Sequence, residues 1–390
     1  ISSGTNGGPP LGGDELFGSD VVSVGDLDRD GVSDIVVGAR SYDSPDSNRG
    51  AVYVLFLNAD NSVKSFRRLS SGANGAPTLA SGVEFGTSIA ALGDLDGDGV
   101  VDIAVGSILD DTNGTNRGSV HVLFLNSDGT VKSFTKIASD TGGGPTLSNS
   151  AFFGTSTVSI GDLDGDGVAD LAVGARGDST GGANRGAVHL LLLNADGTVK
   201  SSTKVAHEMN GGPTLVDNDF FGFSLANIGD LDNDGVSDLA VGVLKDDTGG
   251  DARGAVYVLL LNADGTVKSS TKIASETNGG PPLSDSDLFG GGVAGVGDLD
   301  GDGVGDLAVG SLNDGTGTSN SGALYVLLLN TDGTVKSFAK IASETGGGPL
   351  LSDGANFGHS VANIGDRNGD GVTDLAVGAE RSDGTRGAIY

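Results

Sequence analysis

The sequence predicts an all-β protein, a β-propeller of six four-stranded antiparallel blades whose last blade is incomplete. Two observations predict it: a Phe-Gly pair recurs every 68 residues, and an acidic loop of constant length follows each pair. This period is too long for a helix-pair solenoid and suits the four strands of one blade. We therefore expect residues 1–390 to form a single propeller domain; the alternative is a fragment of a seven-bladed propeller. The pairs begin at Phe17, Phe85, Phe153, Phe221, Phe289 and Phe357.

Composition favours a ring of small sheets over one large core. The chain has 390 residues, 37% of them hydrophobic and 5% aromatic, whereas a single core stops growing at about 250 to 300 residues. Its 70 glycines recur at fixed columns of the repeat, which indicates tight turns and close backbone approach rather than low complexity. The absence of cysteine decides little about the redox compartment.

The charge balance excludes some partners. Acidic residues outnumber basic ones 52 to 22, which gives a net charge of −30, so the phosphates of a nucleic acid would be repelled. Divalent cations are the natural counter-charge. No run of about 18 apolar residues occurs, so we expect no membrane span. Because the chain opens at Ile1 without an initiator Met, we expect that an upstream segment was processed or omitted.

Each repeat contains four predicted strands, A to D. Residues 88–92 and 103–106 form strands A and B on either side of the acidic loop. The apolar run 253–261 is typical of a strand covered on both faces and forms strand C. An Asp-Gly turn leads into strand D at 267–273, whose lysines discourage edge-to-edge pairing with other molecules. Gly- and Pro-rich segments such as 279–283 then carry the chain to the next blade.

The alignment of the two chain ends to the repeat shows which strands the last blade lacks. Ile1 aligns with Ile273 at the end of strand D, and Tyr390 aligns with Tyr325 inside strand C. We therefore expect the last blade to lack one hairpin.

The acidic loops are candidate metal sites. In the second repeat Asp94, Asp96, Asp98 and Asp102 stand at loop positions 1, 3, 5 and 9, and Val100 at position 7 supplies a backbone carbonyl. Two unit charges about 4 Å apart repel by roughly 4 kcal/mol at an effective dielectric near 20, and a divalent cation reverses that sign. Ca²⁺ accepts six to eight oxygen ligands in irregular geometry, and the glycine at position 6 allows the loop to turn over the ion.

Up to six Ca²⁺ are predicted, one for each repeat. The predicted ligands are Asp26, Asp28, Asp30, Val32, Asp34; Asp94, Asp96, Asp98, Val100, Asp102; Asp162, Asp164, Asp166, Val168, Asp170; Asp230, Asp232, Asp234, Val236, Asp238; Asp298, Asp300, Asp302, Val304, Asp306; and Asp366, Asn368, Asp370, Val372, Asp374.

An EF-hand and a solvated acidic turn are weaker interpretations of these loops. An EF-hand needs Glu at position 12 and flanking helices, but every repeat has Val there, for example Val105. A solvated acidic turn is a reasonable interpretation of a single loop of this kind. Six copies in register favour metal binding over it.

Phe-Gly followed by GDxDGDGxxD and Val-Gly-Ala resembles the FG-GAP repeats of integrin α-subunit propellers and related bacterial surface proteins, over essentially the whole chain. The resemblance implies a β-propeller with Ca²⁺ held between strands A and B, an extracellular location and ligands met on the opposite rim. The sequence departs from the integrin pattern, which has seven blades with metal loops in only some of them. An integrin-like ligand is therefore not implied.

The remaining candidate sites are weaker. Arg176, Gly177, Asp178 and Ser179 spell a cell-adhesion tetrapeptide, but one short match in a Gly- and Asp-rich loop favours coincidence. His121 and His189 occupy a column of tyrosines in strand C and are expected to pack rather than to catalyse. His207 and His359 have no evident acid or nucleophile partner, and we expect no enzymatic activity.

Variation between repeats is concentrated in the loops joining strands B and C. These B–C loops share a rim with the D–A connections, and recognition usually resides in such loops on a rigid scaffold. We expect a secreted or cell-surface adhesion module that binds an unidentified protein or glycan there. The alternatives are a polysaccharide-processing enzyme and a subunit of a homo-oligomer or surface assembly. The variable loops are 41–48, 107–116, 177–184, 244–252, 312–321 and 380–385.

Overall fold

The structure is a six-bladed β-propeller. A computed structural model describes residues 1–43, 47–382 and 386–390. Five sheets have four antiparallel strands in chain order, and the sixth has three. The innermost strand of each blade packs against that of the next, and β21 (Phe357–Asn363) packs against β1 (Phe17–Gly25), so six blades close the ring. The all-β propeller is confirmed, with six blades rather than part of a seven-bladed ring.

Within each blade, strand A is innermost and strand D outermost. The first three blades contain β1, β2 (Asp34–Ala39), β3 (Ala51–Leu57), β4 (Val63–Ser70); β5 (Phe85–Gly93), β6 (Asp102–Ser107), β7 (Ser119–Leu125), β8 (Val131–Ala138); β9 (Phe153–Gly161), β10 (Asp170–Ala175), β11 (Ala187–Leu193) and β12 (Val199–Ala206). The other three contain β13 (Phe221–Gly229), β14 (Asp238–Val243), β15 (Ala255–Leu261), β16 (Val267–Ala274); β17 (Phe289–Gly297), β18 (Asp306–Ser311), β19 (Ala323–Leu329), β20 (Val335–Ala342); β21, β22 (Leu375–Ala379) and β23 (Ala388–Ile389).

The Phe-Gly pair marks the contact between neighbouring blades. Phe85 is fully buried, and its amide donates to the carbonyl of Arg49 in the preceding blade at 3.0 Å. Gly86 has a φ of 90°, and a Cβ there would lie 2.5 Å from the carbonyl oxygen of Ala51 in the preceding blade. Only glycine permits both this φ and this close approach. The two residues therefore recur because each blade boundary needs them.

Hydrogen bonds join the blades around the axis. The Ser88 hydroxyl donates to the carbonyl of Gly154 in the next blade at 2.9 Å. Equivalent serines act in most other blades, and Ser360 closes the ring by donating to Gly18 at 3.1 Å. These bonds satisfy backbone carbonyls that would otherwise be buried without a partner.

The hydrophobic core is divided between neighbouring blades. One cluster, for example, joins Val52 and Val54 of the first blade to Phe85 and Ile103 of the second, and the cluster between the sixth and first blades joins Ala376 to Phe17. The chain therefore exceeds the usual size of a single core because each interface has its own apolar cluster.

The chain ends meet in the sixth blade. The Ile1 carbonyl accepts a hydrogen bond from the Ile389 amide at 3.0 Å, and the Ile1 amino group donates to the Ile389 carbonyl at 2.8 Å. In the fourth blade Ile273 pairs with Val256 in the corresponding place. Ile1 thus stands where strand D ends in the other blades, which confirms the predicted incomplete blade.

Among the described residues, no helix is long and apolar enough to cross a membrane.

Candidate metal centres

The acidic loops all lie on one rim, where strand A ends and strand B begins. In the second blade the loop runs from Gly93, the last residue of β5, to Asp102, the first of β6. Every predicted ligand from Asp26 to Asp374 lies on this rim because the six A–B connections point the same way around the ring. We call it the acidic rim.

The first aspartate folds each loop back on itself. Asp94 Oδ1 accepts the Asp98 amide at 2.9 Å, and its Oδ2 accepts the Gly99 amide at 2.8 Å. Gly99 has a φ of 82°, which glycine adopts without strain. The sharp turn predicted at position 6 is therefore present.

The last aspartate is a buried anchor for the backbone. Asp102 has no exposed surface, and its two carboxylate oxygens accept the amides of Leu95 and Leu125, each at 3.0 Å. Burial raises the pKa of Asp102 to about 6 although both hydrogen bonds act to lower it. Asp238 in the fourth blade has the equivalent partners and the same raised pKa. Position 9 thus ties the acidic loop to strand C.

The aspartates at positions 3 and 5 converge on a lysine from strand D. In the third blade Lys200 Nζ lies 2.5 Å from Asp164 Oδ2 and 2.5 Å from Asp166 Oδ2. This cation partly offsets the repulsion between the carboxylates. The same contacts are made by Lys64, Lys132, Lys268 and Lys336 in four other blades.

The chemistry of the donor atoms fits a hard divalent cation. In five loops, oxygens of three carboxylates lie within 4.8 Å of one another. Asp28 Oδ1 and Asp232 Oδ1 are buried and have no hydrogen-bond partner among the described residues, which is costly unless a cation faces them. Ca²⁺ prefers such oxygen ligands. The clusters are Asp26, Asp28, Asp34; Asp94, Asp96, Asp102; Asp162, Asp164, Asp170; Asp230, Asp232, Asp234; and Asp298, Asp300, Asp302.

The sixth loop differs from the others. Asp366 folds it in the usual way by accepting the amides of Gly369 and Gly371 at 2.7 and 2.8 Å. Asn368 replaces a carboxylate, however, and the described residues form no three-carboxylate cluster in this blade. Ca²⁺ binding in each of the six loops, like the valine carbonyl ligands, stays a prediction.

The family comparison agrees with this geometry. The FG-GAP repeat family matches residues 17–55, 85–123 and 153–191, which contain strands A to C and the acidic loops of the first three blades. The chain is a β-propeller whose first three blades contain FG-GAP repeats. The other three blades repeat the same strands and loops at the same spacing.

Integrin α subunits are among the relatives of this FG-GAP propeller. It is 31% identical to human integrin alpha-E over 188 residues, which is 47% of this chain and 15% of that protein. It is 32% identical to Xenopus laevis integrin alpha-4 over 41% of this chain and 14% of that protein, and 34% identical to integrin alpha-5 of the same species over 41% and 15%. The matched part is thus about one seventh of each relative.

One solved structure shows only a weak likeness. The crystal structure of BBS1N in complex with ARL6DN, soaked with lead, covers 100% of this chain and 82% of that one, with 12% identity and a TM-score of 0.44. A likeness of this size does not bear on function.

The opposite rim carries the variable B–C loops, and we call it the variable rim. Residues 44–46 of loop 41–48 and 383–385 of loop 380–385 lie outside the described residues. Several of the remaining loops are fixed by an ion pair between a lysine and a largely buried carboxylate, which was not predicted from the sequence. Asp178 is 4% exposed, and its carboxylate lies 2.6 Å from Lys204 Nζ of strand D. The pair could have been found in the sequence, because an aspartate and a lysine recur at the same spacing in other repeats, for example as Asp110 and Lys136.

The tetrapeptide at Arg176 is not displayed as a unit. Asp178 forms an ion pair with Lys204, and Gly177 is buried. His121 and His189 pack edge to face on Phe85 and Phe153, as predicted.

His207 and His359 have structural partners. His207 Nδ1 accepts the Leu215 amide at 2.9 Å, and His359 Nε2 lies 3.4 Å from Glu380 Oε2. Glu380 was not predicted as the acid beside His359, because the two residues are distant in the chain and meet only across the blade.

Proposed function

We propose that this FG-GAP propeller is an extracellular interaction module that binds Ca²⁺ at its acidic rim and a protein or glycan at its variable rim. The observation that carries the proposal is the separation of the two rims. The acidic loops are nearly identical in all repeats, whereas the loops at the other end of the same strands differ. A recognition surface needs loops that differ from one another on a rigid scaffold. A structural ion that is bound in each repeat needs no such differences.

The ion has a structural role in this proposal. The aspartates at positions 1, 3, 5 and 9 would hold Ca²⁺ and supply it with carboxylate oxygens; in the third blade these are Asp162, Asp164, Asp166 and Asp170. When bound, the ion neutralises carboxylates that otherwise repel one another. For the extracellular location proposed, affinity is expected near 10⁻⁴ to 10⁻³ M, as is usual for extracellular modules.

The integrin relatives support an interaction role over an enzymatic one. The near-identical blades also offer few unique residues from which a catalytic pocket could be built. We therefore propose that the protein is not an enzyme.

Loop exchange tests the proposal. The protein, in 2 mM Ca²⁺, is screened for binding to arrays of glycans and of purified extracellular proteins. In the test variant, loop 244–252 is replaced by 108–116 of the second repeat, which has the same length and the same place in its blade. In the control variant, the acidic loop 230–238 is replaced by 94–102.

Binding that falls at least tenfold in the test variant, and stays unchanged in the control, supports recognition at the variable rim. Binding insensitive to exchange of every described variable loop would contradict it. Turnover of a glycan, abolished by a single substitution, would favour the polysaccharide-processing alternative. Light scattering of the same samples distinguishes a monomer from a homo-oligomer or surface assembly.

A further inference from the structure

The central channel ends at the variable rim in a mouth that breaks the symmetry of the ring. The channel contains a cavity of about 440 Å³ lined by the innermost strands. One column of the repeat, just after strand B, lies at this mouth and differs from blade to blade although the strands before it are nearly constant. In chain order the column contains Arg40, Ile108, Arg176, Leu244, Leu312 and Glu380.

The first of the two arginines has its charge matched within the protein. Arg40 lies 2.9 Å from Glu380 and 3.6 Å from Glu84. Burial alone would lower the pKa of Arg40, but these two carboxylates outweigh it and raise that pKa. Two carboxylates therefore face the single charge of Arg40 on one side of the mouth.

The second arginine contacts no described carboxylate, and Glu84 acts on it only through its longer-range charge. The Arg176 guanidinium lies over the rings of Phe152 and Phe223, at 5.2 and 5.6 Å from their centroids. It forms no hydrogen bond and no ion pair with any residue that the structure describes. Burial and the neighbouring Arg40 lower the pKa of Arg176, against a smaller opposing effect of Glu84. A guanidinium taken partly out of water without a paired anion is destabilising.

The fold does not require a cation at this place. Leu244 and Leu312 occupy the same column in the fourth and fifth blades and are buried there. A leucine at position 176 would fill the column without any cost of removing a charge from water. The arginine, held between two aromatic rings and facing a cavity, is better accounted for by a ligand than by packing.

We propose that the axial cavity binds a single carboxylate carried on an apolar stem, with Arg176 as its charge partner. Guanidinium pairs with carboxylate through two parallel hydrogen bonds, and Phe223, Leu225 and Leu312 line the cavity as an apolar wall. A polyanion is disfavoured because the whole protein carries a net charge of −30. This proposal for the cavity rests on the proposed function in one respect, namely that ligands are contacted at the variable rim.

Arg40, His359 and Glu380 also line the cavity, but a further titratable group, Asp20, sets the conditions of the test. Asp20 lines the channel, and burial raises its pKa to about 7 although the amides of Ile89 and Val21 donate to it. At pH 6 it is mostly neutral and repels an anion less. We therefore specify pH 6 and low chloride.

The experiment compares an acid with its neutral isostere. N-acetyl-L-leucine and N-acetyl-L-leucinamide are titrated against the full chain in saturating Ca²⁺ and followed by ligand-observed NMR. Glucuronate serves as a carboxylate on a polyhydroxylated ring. We expect the acetylated acid to bind with a Kd of about 1 mM, which is typical of a ligand of this size, and the amide and glucuronate to bind at least tenfold more weakly.

Two variants remove one positive charge each. Arg176→Leu introduces the leucine that the fourth and fifth blades have in this column. Arg29 lies on the acidic rim, and Arg29→Asn introduces the residue that the fourth blade has in the same column, Asn233. We expect Arg176→Leu to weaken binding of N-acetyl-L-leucine at least tenfold, since a hydrogen-bonded charge pair is lost, and Arg29→Asn to leave it unchanged.

Three results overturn the proposal: equal binding of the acid and the amide, binding unaffected by Arg176→Leu, or tighter binding of glucuronate. The acid and amide comparison uses the unsubstituted protein, so the proposal stays falsifiable even if Arg176→Leu failed to fold. If the carboxylate does not bind but the loop exchanges still abolish capture of a larger ligand, the cavity proposal fails and the proposed function stands. If the carboxylate binds but the loop exchanges leave capture of the larger ligand unchanged, the function proposed for the variable loops fails and the cavity proposal stands.

Discussion

Two lysines of one strand illustrate the difference between the two rims. Lys200 and Lys204 lie four residues apart on β12 and point to opposite ends of the blade. Lys200 contacts Asp164 and Asp166 of the acidic loop, and the Asp166 side chain is 37% exposed. Lys204 contacts Asp178 of the variable rim, whose side chain is 5% exposed. The carboxylate of the pair is thus open to water at one rim and enclosed at the other, whereas the two lysines are similarly exposed, at 33% and 28%.

Solvent access gives these pairs different roles. Burial would raise the pKa of Asp178, but its hydrogen bonds to Lys204 and to Thr180 outweigh that effect and lower it. The loss of Lys204 would therefore leave a buried charge unpaired. The pKa of Asp166 is lowered chiefly by its hydrogen bond to Lys200, and water or a divalent ion can replace that lysine. We therefore expect the enclosed pair to persist and the open pair to exchange with water or with a divalent ion.

Removal of Ca²⁺ is expected to have the largest effect and to act through the acidic rim alone. At a Kd of about 10⁻⁴ M, 1 mM Ca²⁺ stabilises the folded state by about 1.4 kcal/mol per site, or about 7 kcal/mol for five clusters. Calorimetric melting should therefore show a fall in Tm of about 10 °C when EGTA replaces Ca²⁺. Mg²⁺ at the same concentration serves as control and should restore little. Identical transitions with Ca²⁺ and EGTA would contradict the proposed metal sites.

The enclosed pair is expected to be insensitive to Ca²⁺ and sensitive to substitution. Lys204→Met leaves Asp178 buried without its cation, and we expect a loss of about 3 kcal/mol in the free energy of unfolding, with or without Ca²⁺. Urea denaturation measures it. Lys200→Met is the matched control on the same strand and should change stability far less. If both substitutions cost the same, the distinction between the rims is wrong.

Acid should destabilise the variable side of the blade through its buried histidines. Burial lowers the pKa of His189 to about 4, and the nearby Lys204 acts in the same direction. The unfolded chain, with a pKa near 6.5, then binds more protons, so stability falls as pH drops from about 6.5 towards 4. At pH 5 the loss is about 2 kcal/mol.

His189→Tyr should remove the part of this loss that His189 contributes, because Tyr325 occupies the same column and donates to Asp314 at 3.1 Å. The part contributed by His121, whose pKa burial also lowers to about 4, should remain. Urea denaturation at pH 5 and pH 8 measures the difference. Tyr257→His, the reciprocal change in the fourth blade, should introduce the same acid sensitivity. A pH dependence that is unchanged in both variants would show that these imidazoles are not enclosed.

The smallest effect is expected from the exchangeable lysine. Lys200→Met removes a cation that competes with Ca²⁺ for Asp164 and Asp166, so the affinity of the third loop should rise about three- to tenfold. Calorimetric titration at two salt concentrations checks this, since screening should shrink the gain. Lys204→Met should leave Ca²⁺ affinity unchanged. Weaker Ca²⁺ binding after Lys200→Met would mean that the lysine supports the site instead of competing for it.

Much of the fold could be predicted because it repeats. Phe85 and Gly86 have counterparts in every blade for a local reason, the fit of one blade on the next, so the sequence displays that reason six times. The loop from Asp94 to Asp102 is also local, and its turn could be inferred from residue types alone. The chain's incomplete last blade followed from aligning Ile1 and Tyr390 to their columns.

The rest depends on contacts between residues that are distant in the chain. Lys200 meets Asp164 and Asp166 only because strand D returns across the whole blade, and Arg176 meets Phe223 only because the next blade packs beside it. Composition and spacing determined the six-bladed ring and its rows of carboxylates. The tertiary structure decided which charges are enclosed and which are open to water, because burial depends on neighbours that the pleating of the blades and the closure of the ring bring together.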